Sequence, residues 1–384
     1  MTQSAPPLLT PRFMLVVFCG LSYFIGLTML TPVIPLYVRN DLGHGDAAVG
    51  VSVGVLALGA VVLRLVAGRI GDTMGRRLLI IGGAALVAGS TLAYGAVHAL
   101  WWLIAMRIVT GFGEAGFFVG AATMITDLAP VERRGEAVSY WSVAVYGGIA
   151  FGPALGDLVL GDDRYSTAFV VAAAFAGFAA IVGLFTRDVP REHPPEPQRR
   201  LYHPAALRPG TILFLGLMPL SAFMPLLPLY VRDDVDASAG IVFAVYGVLI
   251  LTVRVVGARI PDRLGARNAG LLALSFGGAG ILVITAWATP AGLYAGTAVF
   301  AVGMSLLYPA MLLYALTGIR DSERAQVVGT FSSFFDMATA IGGAAAGLVA
   351  EFAGYRGAFG VSGLLCLSGL LLLRRGAAPR PRAA

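Results

Sequence analysis

The feature that most constrains this chain is a series of about twelve apolar runs, each near 20 residues long. A hydrocarbon core about 30 Å thick needs roughly 20 apolar residues of helix to cross it. A membrane β-barrel would show short alternating segments instead. The runs lie at roughly 13–38, 47–67, 78–97, 101–123, 136–157, 166–186, 211–231, 239–258, 269–287, 292–317, 326–349 and 357–374. The sequence therefore predicts an all-α integral membrane protein with twelve transmembrane helices.

Composition agrees with this expectation. Only 12% of the residues are charged, and the mean hydropathy is +0.82. A soluble domain carries about twice that share of charge. The 50 glycines suit helices that pack closely in lipid, because small residues let backbones approach.

Arginine sets the predicted orientation, since all 27 basic residues are arginine. With the N-terminus inside, 20 arginines fall on cytoplasmic segments and 4 on outer loops. Basic residues collect on the cytoplasmic side of membrane proteins, so both termini are placed there. The net charge of +6 then faces anionic membrane lipid and requires no nucleic-acid partner. We expect a multi-pass protein of a bacterial inner membrane.

The chain repeats itself. Residues 32–41 read PVIPLYVRND and residues 225–234 read PLLPLYVRDD. Residues 63–77, LRLVAGRIGDTMGRR, recur at 253–267 as VRVVGARIPDRLGAR. A parallel repeat of six helices is a transporter architecture. We predict an N-terminal half at 1–186, a cytoplasmic linker at 187–210 with six prolines and five arginines, and a C-terminal half at 211–384, with the halves related by a pseudo-twofold axis.

The loop between predicted spans 2 and 3 reads GRIGDTMGRR, and its characteristic residues are Gly68, Asp72, Gly75, Arg76 and Arg77. Glycines allow a tight turn between two helices. The aspartate and the arginines predict a charge cluster at the membrane edge, with Asp127 at the end of span 4 as the candidate partner of Arg76. A turn that only keeps positive charge inside would explain the arginines, but not the spacing of the glycines and the aspartate.

Three more patterns lie within spans. Span 1 holds Gly26, Pro32 and Pro35; span 4 holds Leu103, Arg107, Thr110, Gly111, Gly113 and Glu114; span 5 holds Gly148, Gly152, Pro153 and Gly156. Prolines free backbone carbonyls in a membrane helix, and such helices tend to line cavities.

Together these motifs resemble the major facilitator superfamily, in particular its twelve-helix drug:proton antiporter branch, over nearly the whole chain. The sequence departs from the family patterns at three positions: Thr110 replaces a glutamine, Glu114 replaces a small residue, and Asp157 replaces a glycine. The resemblance implies that the 68–77 loop is a conformational latch, with Asp72 near the N-terminus of span 11. It also implies that the span-5 pattern marks an antiporter and that spans 1, 4, 7 and 10 line the cavity.

Ionisable residues inside the membrane need a partner or a function, because inserting one costs about 2.5–3.5 kcal/mol. Arg107 and Glu114 share one helix face about 10 Å apart, so only water or a third residue could bridge them. Burial and a nearby arginine act in opposite directions on the pKa of a carboxylic acid, which suits proton binding and release. We predict proton coupling by Glu114 with Arg107, and by Asp336 as a second acid. For Arg64 and Arg254, snorkelling to the cytoplasmic edge is the favoured interpretation.

The predicted activity is proton-coupled export of a small, largely apolar molecule by alternating access. We expect a monomer that needs no cofactor and is not an enzyme. A metabolite or sugar exporter or a facilitator is the alternative, and a membrane enzyme or receptor-like scaffold is a distant one. The four histidines lie in loops or at span ends, which gives an enzyme no clustered site. Candidate cavity residues are Phe24, Pro32, Pro35, Phe118, Met218, Phe223, Met304, Tyr308 and Phe335.

Overall fold

The computed structural model of the protein describes residues 8–130, 133–188, 202–257 and 260–375. Its helices are α1 (Pro11–Thr28), α2 (Leu30–Leu36), α3 (Asp46–Met74), α4 (Arg76–Leu92), α5 (Leu100–Leu128), α6 (Arg134–Leu160), α7 (Tyr165–Gly183), α8 (Pro204–Asp233), α9 (Ala239–Val256), α10 (Ile260–Leu264), α11 (Ala266–Ala286), α12 (Pro290–Leu316) and α13 (Asp321–Arg375).

These helices account for the predicted spans. In the described part of the chain, ten helical stretches are long and apolar enough to cross a membrane. One of them, Gln326–Arg375, contains a break at Gly354, where φ is +69°, and so holds two spans. The segment Ala239–Arg254 is a shorter apolar helix. Each of the twelve predicted spans therefore has a helical counterpart, and the all-α membrane fold is confirmed.

Prolines break the first span but not its repeat. α1 ends at Thr28, four residues before Pro32, as expected because a proline ring clashes with the carbonyl four residues earlier. α2 then carries Pro35 and runs into a π-helical turn, Tyr37–Asp41. The equivalent prolines, Pro225 and Pro228, lie inside the single helix α8.

The duplication extends to backbone conformation. Gly75, between α3 and α4, has φ +96°, and Gly265, between α10 and α11, has φ +78°. The two glycines are equivalent positions of the repeat, and left-handed φ values favour glycine. The predicted tight turn is therefore confirmed at Gly75, and it occurs twice; Gly68, the other glycine expected in the turn, lies within α3, which runs to Met74.

An arginine contact is also duplicated. Arg77 Nη2 donates a hydrogen bond to the Leu184 carbonyl oxygen over 2.7 Å. Arg267 Nη2 donates to the Arg374 carbonyl oxygen over 2.9 Å. All four residues match with the same offset of 190. In each half an arginine at the start of the third span thus caps carbonyls at the end of the sixth.

The chain forms two compact units. Unit 1 comprises Met1–Val33 and Val55–Glu196, and unit 2 comprises Ile34–Gly54 and Pro197–Ala384. The boundary between the units at Glu196 and Pro197 falls inside the predicted linker at 187–210. Residues 189–201 of this linker lie outside the described residues. α8 begins at Pro204, so helix starts before the predicted end of that linker. The segment 34–54 packs with unit 2, although the sequence places it in the first half.

Within unit 2, the first turns of α3 lie against α13 with almost no side chain between them. A Cβ built on Gly347 would lie 2.9 Å from the Gly50 Cα, and one on Gly54 would lie 2.5 Å from the Ala340 carbonyl oxygen. A polar cluster adjoins this contact: Arg39 Nη1 lies 2.6 Å from Asp233 Oδ2, and the Tyr355 hydroxyl donates to the same oxygen over 3.0 Å. An ion pair therefore joins the two copies of the repeated phrase.

Within unit 1, α1 packs against α6 and α7, and α4 packs against α5 and α7. A continuous apolar core of residues from α1, α4, α5, α6 and α7 fills this bundle. It positions the charged side chains described next.

Candidate functional site

The register of α3 against α5 is set by glycines. A Cβ on Gly111 would lie 2.9 Å from the Ala60 nitrogen, and one on Gly59 would lie 3.1 Å from the Ile108 carbonyl carbon. Contacts this short leave no room for a side chain, so the two backbones touch. About one turn further along, the side chain of Arg64 on α3 and the side chain of Glu114 on α5 therefore lie at the same level.

An ion pair forms at that level. Arg64 Nη2 of α3 donates to both carboxylate oxygens of Glu114 on α5, over 2.9 Å and 3.2 Å. The side chain of Arg64 is 25% exposed and that of Glu114 is 13% exposed. The charges are thus paired, mostly removed from the surface, and still reachable.

Aromatic rings surround the pair. The Arg64 guanidinium carbon lies 5.4 Å from the ring centroid of Phe118, one turn beyond Glu114. Phe118 packs edge-on against Trp141 of α6 and Phe24 of α1, with centroids 6.0 Å and 6.3 Å away. Phe118 is partly exposed, so it offers apolar surface for a ligand beside a compensated charge pair, whereas Phe24 and Trp141 are nearly buried behind it.

A second aromatic layer lies behind this one. Tyr23 stacks on Phe117 with centroids 3.7 Å apart, and both residues are fully buried. The Tyr23 hydroxyl is buried and has no hydrogen-bond partner among the described residues. Two of the first-half cavity candidates are therefore part of one cluster, in which Phe24 is nearly buried and Phe118 is partly exposed.

One sequence interpretation needs correction here. Arg64 does not snorkel to the membrane edge; its guanidinium reaches inward to Glu114. The sequence named Arg107 as the companion of Glu114 in coupling but predicted no direct contact between them; Glu114 pairs with Arg64 because α3 approaches α5 closely enough to supply the charge. Arg107 is buried on α5, 6% exposed, two turns from Glu114.

The loop at 68–77 holds its arginines as predicted. Arg76 Nε lies 3.2 Å from Asp127 Oδ2, which is the expected partner, and Arg76 Nη1 donates to the Gly71 carbonyl oxygen over 2.6 Å. Arg77 also donates its backbone N–H to Asp188 Oδ1 over 3.0 Å. The surroundings of Gly68 and the side chain of Asp72 lie outside the described residues. The role of the loop as a latch stays a prediction.

The glycines of the span-5 pattern have a clear place. A Cβ on Gly148 would lie 2.7 Å from the Phe24 carbonyl carbon, and one on Gly152 would lie 2.9 Å from the Ile25 carbonyl oxygen. Gly156 contacts Met29 in the same way, and Pro153 lies within α6. The pattern thus packs α6 against the end of α1, up to the break at Met29 between α1 and α2.

In unit 2 the predicted second acid, Asp336, is buried, 6% exposed. Its neighbour in sequence, Phe335, is exposed and packs edge-on to Tyr308 with centroids 6.2 Å apart. Tyr308 also shares a hydrogen bond with Ser332, 3.1 Å between oxygens. The predicted coupling role of Asp336 stays a prediction.

Other cavity candidates are packed residues in this structure. Phe223 is fully buried against Phe243, Tyr246 and Phe300. Met218 and Met304 are almost fully buried, as are Pro32 and Pro35. Side chains with so little exposure contribute to the bundle core, and a contact with substrate would require them to move.

Comparison with known proteins places the chain in a family. The family model of the Major Facilitator Superfamily matches residues 16–290 and 210–384. The chain belongs to the Major Facilitator Superfamily. An uncharacterized MFS-type transporter of Salmonella typhimurium is 30% identical over 370 residues, which cover 91% of this chain and 93% of that protein. One from Burkholderia mallei is 24% identical over 356 residues, 91% of this chain and 87% of that protein. The protein is thus a multi-pass membrane transporter.

Solved structures share the superfamily fold. A bacterial homologue of the human lysosomal transporter Spinster, inward-facing and occupied, has a TM-score of 0.78 at 15% identity, covering 97% of this chain and 96% of that one. The nucleoside transporter NupG has a TM-score of 0.79 at 11% identity, covering 94% and 99%. The human organic anion transporter MFSD10 has a TM-score of 0.69 at 20% identity, covering 96% and 100%. At these identities the likeness concerns the fold alone.

Similar depth along two helices is the sequence signal that favours the Arg64–Glu114 pair, although it does not show that the helices touch. Arg64 lies 18 residues after the start of α3 and Glu114 lies 14 residues after the start of α5, about 27 and 21 Å along helices that enter from the same predicted side. The sequence analysis treated each charge on its own helix. It also did not single out Tyr23, Phe117 or Trp141.

Proposed function

We propose that the protein is a proton-coupled exporter of small, largely apolar molecules, in which Glu114 carries the coupling proton. The observation that carries the proposal is the Arg64–Glu114 ion pair on two membrane-crossing helices. Each charge would be costly in the membrane alone, and the pair compensates them. A pair that one proton can open is a suitable coupling element.

Protonation of Glu114 would remove the charge that holds Arg64. The ion pair and the protonated acid then define two states of the site with different affinities for a ligand. Coupling requires this difference, since a ligand that binds both states equally shifts no equilibrium. Alternating access, with proton and substrate bound in turn, would convert the proton gradient into export.

Other residues have supporting roles in this proposal. The Arg76–Asp127 contact would stabilise one conformation of the 68–77 latch, and Asp336 would be a second proton site. The proton gradient is the energy source, so no cofactor is invoked. The proposal also retains a monomer in a bacterial inner membrane with both termini in the cytoplasm.

A facilitator or metabolite exporter is the second candidate function. NupG, which shares the fold, is named as a nucleoside transporter. A facilitator needs no titrating group, so its transport would not depend on Glu114 as a proton carrier.

The deciding experiment is transport by Glu114→Gln in proteoliposomes. Glutamine fixes the neutral form, so export driven by an imposed proton gradient should fall at least about tenfold. Substrate binding at equilibrium should remain measurable, with the weaker affinity of the protonated state, and should lose its pH dependence. Glu136→Gln is the matched control, because that acid is exposed near the start of α6. Wild-type gradient-driven export by Glu114→Gln would refute the assignment and favour Asp336 or a facilitator.

A further inference from the structure

The Arg64–Glu114 pair also bears on which molecules the site accepts. We propose that Arg64 is a specificity-determining residue that excludes lipophilic cations and restricts the aromatic site to uncharged apolar molecules. The inference rests on the proposed function in taking this cluster as the substrate site.

Charge compensation is the first step. One nitrogen of Arg64 is within 3.2 Å of both carboxylate oxygens of Glu114. Charges this close in a poorly solvated site interact strongly. The ionised pair has no net charge, so a neutral ligand gains apolar contact there without facing an uncompensated ion.

The second step is that Arg64 already occupies the two features that would bind a cationic ligand. An organic cation in such a cluster would bind to the carboxylate of Glu114 and over an aromatic face. Arg64 already does both, since its guanidinium lies 5.4 Å from the Phe118 ring centroid. A cationic ligand would therefore have to displace an arginine from both places.

The third step links selectivity to coupling. When Glu114 takes up a proton, Arg64 keeps its charge and the pair becomes net positive. An apolar molecule then binds beside an uncompensated cation, which is less favourable than binding beside the neutral pair. Proton and neutral substrate would compete, which is the condition for exchange in opposite directions.

The test uses three probes of similar shape: tetraphenylphosphonium, tetraphenylborate and neutral triphenylphosphine oxide. Binding is measured in detergent, without a gradient, by quenching of Trp141 fluorescence, with Trp141→Phe as the signal control. The wild type should bind the oxide more tightly than either ion. Arg64→Gln should bind the phosphonium at least about tenfold more tightly than the wild type does, and Glu114→Gln should gain similarly for the borate. The double variant Arg64→Gln/Glu114→Gln should again bind the neutral oxide more tightly than either ion.

Arg12→Gln is the control for net charge, because Arg12 is exposed at the start of α1; it should leave all three affinities unchanged. Equal wild-type affinity for the phosphonium and the oxide would overturn the proposal, as would unchanged phosphonium binding in a folded Arg64→Gln. If Arg64→Gln does not fold, the binding of tetraphenylborate by Glu114→Gln decides. The proposal is then refuted if Glu114→Gln binds the borate no more tightly than the wild type does. Since no gradient is present, a failure of proton-driven export would count against the proposed function and leave this result standing.

Discussion

Removing the carboxylate of Asp127 should destabilise unit 1 far more than removing an exposed carboxylate on the same side. Arg76 is 6% exposed, and its Nε lies 3.2 Å from Asp127 Oδ2. Breaking a buried ion pair by removing one partner costs about 3–5 kcal/mol. Asp127 is a quarter exposed, asparagine keeps one oxygen, and Arg76 keeps its bond to Gly71. We therefore expect Asp127→Asn to lower the free energy of unfolding by about 2 kcal/mol, roughly 30-fold in the equilibrium constant.

The matched control is Glu136→Gln. Glu136 pairs with Arg133 over 2.8 Å, but the side chains of Glu136 and Arg133 are 42% and 31% exposed. Exposed pairs of this kind contribute about 0.3–0.5 kcal/mol. Unfolding free energies from titration with a denaturing detergent would compare the two variants. Equal losses would show that Arg76 does not depend on Asp127, and the structural basis for a latch at this loop would fail.

Further predictions follow from the close contacts and the repeat. Gly152→Ala should lower the free energy of unfolding by about 1–3 kcal/mol, since α6 touches α1 there. A Cβ at Gly89 would meet nothing within 4 Å, so Gly89→Ala should be neutral or stabilising in the same unfolding assay. Arg77→Gln and Arg267→Gln should each cost about 1 kcal/mol, and their effects should add in the double variant because the sites share no partner; a strongly non-additive result would contradict two independent caps. Arg39→Asp and Asp233→Arg should each lower the melting temperature, and their combination should recover part of the loss, whereas Asp234→Asn should have little effect.

The sequence predicted those features that a bilayer or a short local pattern dictates. Span number follows from hydrophobic length, and the turn glycine at position 75 follows from a backbone conformation that other residues rarely adopt. The Arg76–Asp127 contact was found because both residues lie at span ends, where the topology brings them together. The contact between Arg64 and Glu114 was not predicted, because it depends on how closely α3 and α5 approach. That distance depends on Gly59 and Gly111 rather than on the charged residues. The packing of residues 34–54 with unit 2 was missed for a similar reason, since a break within span 1 does not show which neighbours its end will have.

The packing of residues 34–54 has a consequence for biosynthesis. These residues are made early, but their contacts Asp233, Gly347 and Tyr355 are translated about 200–300 residues later. At roughly 5–20 residues per second, the delay is on the order of 10–60 s. For that time Arg39, Gly50 and Gly54 lack the residues that they contact in the folded protein. The nascent first half therefore cannot complete its own structure, and a ribosome stalled before Tyr355 would hold a chain whose earliest polar residues still lack their final contacts.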